Sequence, residues 1–256
     1  MFAYQVESAP WGKEISTKNQ YLEGVTIMTA REFFENLKKK IAPIHQEMLN
    51  LRLITETHNG TLPREILKGY ALQRYLLVVP QLRQLASTIV RAPDSEFEEI
   101  AIDHLNGEIG HDKLCRIFAK WAGNTDEELD KGRPIFPTHV CISFFTALSD
   151  YGKPEETAGA YYAGEGFIPH KFQKLVFGLH RHYGAPAEAL EFFKVHISED
   201  VKHSEEMGRN VMEKYCETKE AQERAEYTAM MNLQYYRFFL DGVYDHYAAN
   251  LRVAAA

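Results

Sequence analysis

The sequence predicts an all-α protein. Three observations carry that expectation: apolar positions recur at helical spacing through most of the chain, Ser/Thr-x-x-Glu boxes and proline or glycine punctuate the periodic stretches, and no run of alternating β-branched residues bounded by turns stands out. Composition agrees. The apolar fraction of 45% and charged fraction of 25% are ordinary for a globular chain, and 256 residues can close around one core. The expected organisation is an irregular amino-terminal arm over residues 1–28 and one helical domain over 29–250.

The elements follow in order. Thr29 and Glu32 form a capping box that opens a first helix running toward Leu53. The turn HNGTLP ends it, and Pro63 suits the first turn of a second helix reaching about Val90, with a kink at Pro80. Ser95 and Glu98 repeat the capping-box spacing before a third helix that stops near Gly123. After the polar connector GNTDEELDKGRPIFP, a fourth helix covers about 138–151. A fifth starts after Lys153-Pro154 and is interrupted near Gly164, Gly166 and Pro169; a sixth begins near Pro186, and a seventh runs from about Lys219 to Tyr247.

Charge and cysteine usage narrow the function. A formal net charge of −7 without a long basic block gives no footprint for a nucleic-acid partner. Cys115, Cys141 and Cys216 are too scattered for a metal knuckle or a disulfide framework, which suits a reducing compartment. No segment approaches the roughly 18 to 20 apolar residues that span a bilayer. The expected location is the cytoplasm, with no membrane partner.

The residues that suggest chemistry are histidines and carboxylates. In HISEDVKH, His196, Asp200 and His203 fall within about 60° of arc on an ideal helix, so they can converge on one point. Alone, such a triplet is as readily a solvated polar face. A second acidic-x-x-histidine unit, Glu108 and His111 in GEIGHDKL, raises its weight, because paired units of this kind on separate helices hold two iron or manganese ions in helical bundles. Glu165 stands in the apolar and aromatic stretch AYYAGEGFIP, where an unpaired buried carboxylate is costly and a bridging one is not. Its two flanking glycines would let the helix open there. A ferritin-like bundle also needs a glutamate on the second helix, and Ile66 to Val90 contains no acidic residue; His196 is the extra donor instead.

These residues resemble the haem-oxygenase-like di-iron oxidases and oxygenases, a family sharing its fold with TenA thiaminases and the cofactorless quinone synthase PqqC. The likeness rests on His-x-x-x-Asp-x-x-His at 196–203, a core-helix glutamate at Glu165, HLNGE at 104–108 followed by HDKL at 111–114, and the second-helix stretch LKGYALQRYLLVVPQLRQLA. It covers about residues 30–220 and implies a seven-helix haem-oxygenase-like (TenA/PqqC-like) bundle. His104 departs from the asparagine of many members and, one turn before Glu108, is an alternative ligand ranked behind His111.

The resemblance implies a ligand set of Glu108, His111, Glu165, His196, Asp200 and His203 around two Fe(II) ions, with Mn as an alternative, and dioxygen as co-substrate. It also implies a small-molecule substrate that is amino-acid-like or a carboxylate, oxidised by cleavage, desaturation or N-oxygenation in specialised or cofactor metabolism. An external electron donor and a homodimer are the remaining partners expected. Tyr161, Tyr162 and Arg74 are candidates for the substrate pocket, Arg74 because a guanidinium can pair a carboxylate. The other histidines lack acidic partners at ligand spacing. Two rival readings remain open: a metal-free enzyme of the PqqC or TenA type, and a non-enzymatic iron-binding protein.

Overall fold

Helix capping and breaking decide where the chain bends. The computed structural model describes residues 28–254, and side chains within that span except those of 199–207 and 253–254. The expected arm, up to residue 27, lies outside the described residues. Thr29 and Glu32 do form the reciprocal capping box at the start of α1 (Ala30–Met48). The predicted first helix then breaks at residues 49–51 and continues as α2 (Arg52–Asn59), ending at Gly60. The predicted second helix is likewise two, α3 (Arg64–Val78) and α4 (Gln81–Val90), parted at Pro80 because its ring lacks the N–H that would continue the ladder.

The third predicted helix is divided into α5 (Ser95–Glu108) and α6 (His111–Trp121). Its cap is Asp94, whose carboxylate accepts from the Phe97 amide at 3.1 Å, so the start lies one residue before the Ser95 expected from the Ser-x-x-Glu spacing. The connector contains a short helix, α7 (Asp126–Lys131), closed by a Thr125–Glu128 capping box. Then follow α8 (Phe136–Tyr151), α9 (Pro154–Glu165), α10 (Ile168–Tyr183), α11 (Ala187–Glu205), a π-helical turn over Glu206–Val211, α12 (Met212–Tyr215) and α13 (Lys219–Ala254). The seven predicted helices are therefore present as more numerous segments, and no strand occurs among the described residues.

The hydrophobic core is continuous from Phe33 on α1 to Val243 on α13. α9 sits at its centre: Ala158, Ala160 and Ala163 are fully buried and small enough for neighbouring helices to approach. α13 lies along it, held by side chains one turn apart. Arg224 donates twice to the buried Glu155, at 2.8 and 2.6 Å; Thr228 donates to the Glu156 carbonyl at 2.9 Å; Asn232 donates to the Ala160 carbonyl. These bonds fix the register of one helix on the other, since a slip would strand buried polar groups. No helix among the described residues is long and apolar enough to cross a membrane.

At Gly159 the backbones of α9 and α13 come close: a Cβ there would lie 2.2 Å from the Ala225 carbonyl oxygen. The variant Gly159→Ala should therefore lose about 1–3 kcal/mol of stability through overpacking against rigid backbone. For a chain of this size each kcal/mol lowers the melting midpoint by about 2–4 °C. An unchanged midpoint in calorimetry would show that the two helices can part without cost.

Candidate metal centre

Helix ends supply three of the central side chains, Glu108, His111 and Glu165, and helix interiors supply His104 and His196. Glu108 is the last residue of α5 and His111 the first of α6. Their i, i+3 spacing was expected to act within one helix, yet a break separates them. Gly110, with φ of +92°, turns the chain through a conformation that L side chains rarely adopt, and brings His111 Nδ1 to 2.8 Å from Glu108 Oε2. The glycines of GEIG were the signal for this break.

His196 comes from α11, which packs on α6 through the Phe118–Phe193 edge-to-face pair. Its Nε2 lies 3.9 Å from Glu108 Oε2, and Glu108, His111 and His196 each present a donor atom within 4.8 Å of the others. All three are buried. The Nδ1–H of His196 faces the Phe192 carbonyl at 2.6 Å, so the bond it donates leaves Nε2 with its lone pair toward Glu108. That arrangement suits a ligating imidazole, whose second nitrogen is normally tied to a backbone carbonyl or carboxylate.

Glu165 closes α9 and is buried, as the surrounding aromatics led one to expect. Its Oε1 lies 2.9 Å from His104 Nε2. Its Oε2 has no hydrogen-bond partner among the described residues. His104, one turn before Glu108 on α5, is 2% exposed and packs edge-to-face on Tyr161 at 4.9 Å. Sequence spacing ranked it behind His111 because a partner 61 residues away leaves no local trace. The α11 backbone carries Asp200 and His203 in helical register beyond His196, and their side chains lie outside the described residues.

Against Glu165 lies a cavity open to solvent, lined by Leu77, Val78, Phe145, Ile168 and the polar set Arg74, Tyr161, Glu165, Asn232 and Tyr236, among others. Arg74 and Tyr161 stand in the cavity wall. Tyr162 does not occur among its described lining residues; its ring packs edge-to-face on Phe34 at 5.0 Å, toward α1. Residues not singled out from the sequence complete the wall. Arg74 Nη1 donates to the Tyr236 hydroxyl at 3.0 Å, and Lys171, fully buried, donates to the same oxygen. His45 and His58, by contrast, face backbone carbonyls.

Burial sets the titration of these groups. It drives His196 down to about 3, so this imidazole is neutral, although the Glu108 charge works the other way. Burial also opposes ionisation of Glu108, but the His111 hydrogen bond and neighbouring imidazoles hold its carboxyl down to about 2. For His104 burial is again the largest influence and lowers the value; the Glu165 and Glu108 charges outweigh it and raise the net value above the ordinary one.

A neutral native His196 loses stability below the usual pKa of about 6.5, where the unfolded chain takes up a proton that the native chain refuses. A protonated native His104 contributes stability below about 6.5 and loses it as pH rises through its raised value. Metal-free protein should therefore be most stable near pH 6.5. In thermal melts with chelator from pH 5 to 8.5, His196→Gln should flatten the acid limb and His104→Gln the alkaline limb. Unaltered limbs in both variants would contradict the assigned protonation states.

The fold has counterparts among known proteins. The family model described as iron-containing redox enzyme matches residues 68–237, about two thirds of the chain. Two curated relatives are named 4-aminobenzoate synthase. The one from Nitrosomonas europaea is 26% identical over 206 residues, covering 75% of this chain and 83% of the relative. The one from Chlamydia pneumoniae is 27% identical over 178 residues, covering 68% and 79%. Among solved structures, a domain of unknown function with a haem-oxygenase-like fold from Shewanella denitrificans superposes with a TM-score of 0.75 at 20% identity, covering 87% of this chain and 95% of that one. A TenA homologue from Pseudomonas syringae gives 0.73 at 13% identity, covering 86% and 97%, and both likenesses speak to fold. With its buried carboxylates and imidazoles on a haem-oxygenase-like helical fold, and with the family match running from α3 to α13, the chain belongs to the iron-containing redox enzymes.

Proposed function

We propose that this protein is a non-haem di-iron oxidase or oxygenase that uses dioxygen to oxidise a small carboxylate substrate held beside Glu165. The observation that carries the proposal is the double position of Glu165, which is at once a wall of the cavity and part of the buried carboxylate–imidazole cluster. Substrate in that cavity would stand next to the reacting centre.

The residues fit iron. Carboxylate and imidazole donors without thiolate suit iron(II) or manganese(II), and Glu165 Oε2, without a hydrogen-bond partner among the described residues, is a buried acceptor that a cation would satisfy. The ligands proposed are Glu108, His111, Glu165, His196, Asp200 and His203, with Glu165 bridging. Bound ferrous iron would supply electrons for the reduction of dioxygen, and an external donor would restore them where the substrate does not.

The chain's own side chains do the rest. Arg74, with Tyr236 hydrogen-bonded to it, offers a cationic seat for a carboxylate at the α3–α13 side. Leu77, Val78, Phe145 and Ile168 exclude water around the body of the substrate. Phe145 and Tyr161 provide aromatic faces, and the 4-aminobenzoate named for two relatives is an aromatic carboxylate, with a ring for such faces and an anion for Arg74. A protein that only stores iron would have no use for an arginine-bearing apolar cavity beside its metal ligands.

Anaerobic titration of the metal-free protein with iron(II) should take up about two equivalents per chain. Oxygen consumption by the loaded protein, measured across a panel of amino acids, aromatic carboxylates and fatty acids, should rise with at least one of them. For that compound, Arg74→Met should raise KM by at least about tenfold, the loss of an interaction felt on binding as well as in the transition state. Failure of the wild-type protein to take up iron would refute the metal centre. Iron uptake without stimulation by any member of the panel would favour a binding protein over an oxidase.

A further inference from the structure

We infer that His104 is itself a metal ligand and shares its ion with Glu165, so that within the centre a His104–Glu165 pair stands beside a Glu108–His111–His196 group. The inference rests on the iron reading above, adds His104 to the ligands named there, and sets His196 beside Glu108 and His111 in space.

The first argument is one of distances. Two donors in adjacent positions on an octahedral ion, each at about 2.1 Å, stand about 3.0 Å apart, and two in opposite positions about 4.2 Å. His104 Nε2 and Glu165 Oε1 are 2.9 Å apart; His111 Nδ1 and Glu108 Oε2 are 2.8 Å apart. Both pairs already have the edge length of a coordination octahedron. His196 Nε2, at 3.9 Å from the same Glu108 oxygen, is close to the diagonal. One pair was legible as an acidic-x-x-histidine unit. The other has the same chemistry, burial and separation, built from residues on α5 and α9.

The second argument is orientation. The edge-to-face contact between His104 and Tyr161 fixes the plane of the imidazole, and Nε2 is the nitrogen turned to the carboxylate. Glu165 keeps a second oxygen, Oε2, buried and without a hydrogen-bond partner among the described residues. A carboxylate that merely oriented a histidine would leave that oxygen without a donor, whereas one that met two ions would use both. His104 and Glu108, one turn apart on the same face of α5, would then stand on neighbouring ions.

The test is to load the metal-free protein anaerobically with cobalt(II), counting equivalents by equilibrium dialysis and coordinated imidazoles by their shifted N–H signals in paramagnetic proton NMR. Wild type should bind about two equivalents. His104→Ala should weaken one by at least tenfold and lose one imidazole signal, whereas His104→Glu should recover the second equivalent but not the signal. His139→Ala, at an exposed histidine, should alter neither. If His104→Ala does not fold, as judged by circular dichroism, the near-isosteric His104→Gln carries the same expectation. Two ions bound with unchanged affinity and the full set of imidazole signals in these variants would overturn the inference while leaving the iron reading intact. No cobalt uptake by wild type would remove both.

Discussion

The structure depends on satisfying charge in a place that water does not reach. Glu108, Glu165, His104, His111 and His196 are all buried, and each carboxylate has an imidazole within 2.9 Å. An isolated carboxylate at such depth would protonate or drag water inward. Each carboxylate instead meets an imidazole, and the helices that bring the two must then meet in one arrangement. Removing one partner would leave the other as an uncompensated buried charge, which costs more than the pair gains. The centre is thus a constraint on the fold as much as a product of it.

That constraint bears on Glu108, His111 and Glu165, which stand at helix ends. A side chain in mid-helix has a fixed direction, set by its turn. Glu108 at the end of α5, His111 at the start of α6 and Glu165 at the end of α9 lie next to breaks, where backbone direction changes and two side chains close in sequence can face each other. The π turn at Glu206–Val211, after the helix that carries His196, Asp200 and His203, is another such departure from regular winding.

Local signals were legible in the sequence and distant ones were not. The Thr29–Glu32 box, the Pro80 break and the glycine interruption after Glu165 were visible because each acts over a few residues. Seven helices were expected where the chain makes more segments, since Gly110 and the Leu49–Leu51 stretch interrupt the helices without disturbing the apolar periodicity. The candidate ligands Glu108, His111, Glu165 and His196 could be named from type and spacing, but their grouping could not. The nearness of His196 to Glu108 and of His104 to Glu165 depends on how α5, α9 and α11 pack. Tyr161 and Tyr162 are neighbours in sequence and point about 100° apart on a helix, so only one could line the cavity; Tyr161 does, and Tyr162 meets Phe34.

Helix α13 shows how the remaining part of the site is held. Arg224, Thr228, Asn232 and Tyr236 follow one another at intervals of four, forming a polar stripe on an otherwise apolar contact face. The first three bond to α9 at Glu155, Glu156 and Ala160, and the third and fourth stand in the cavity wall. The bonds that set the register of α13 on α9 therefore also set the separation between Tyr236 and Glu165. With Arg74 and Lys171 both donating to the Tyr236 hydroxyl, the cationic end of the cavity is tied to the same helix. A substrate seated there would be measured against Glu165 by two packed helices rather than by a loop, which is the kind of support that positional precision at a reacting centre requires.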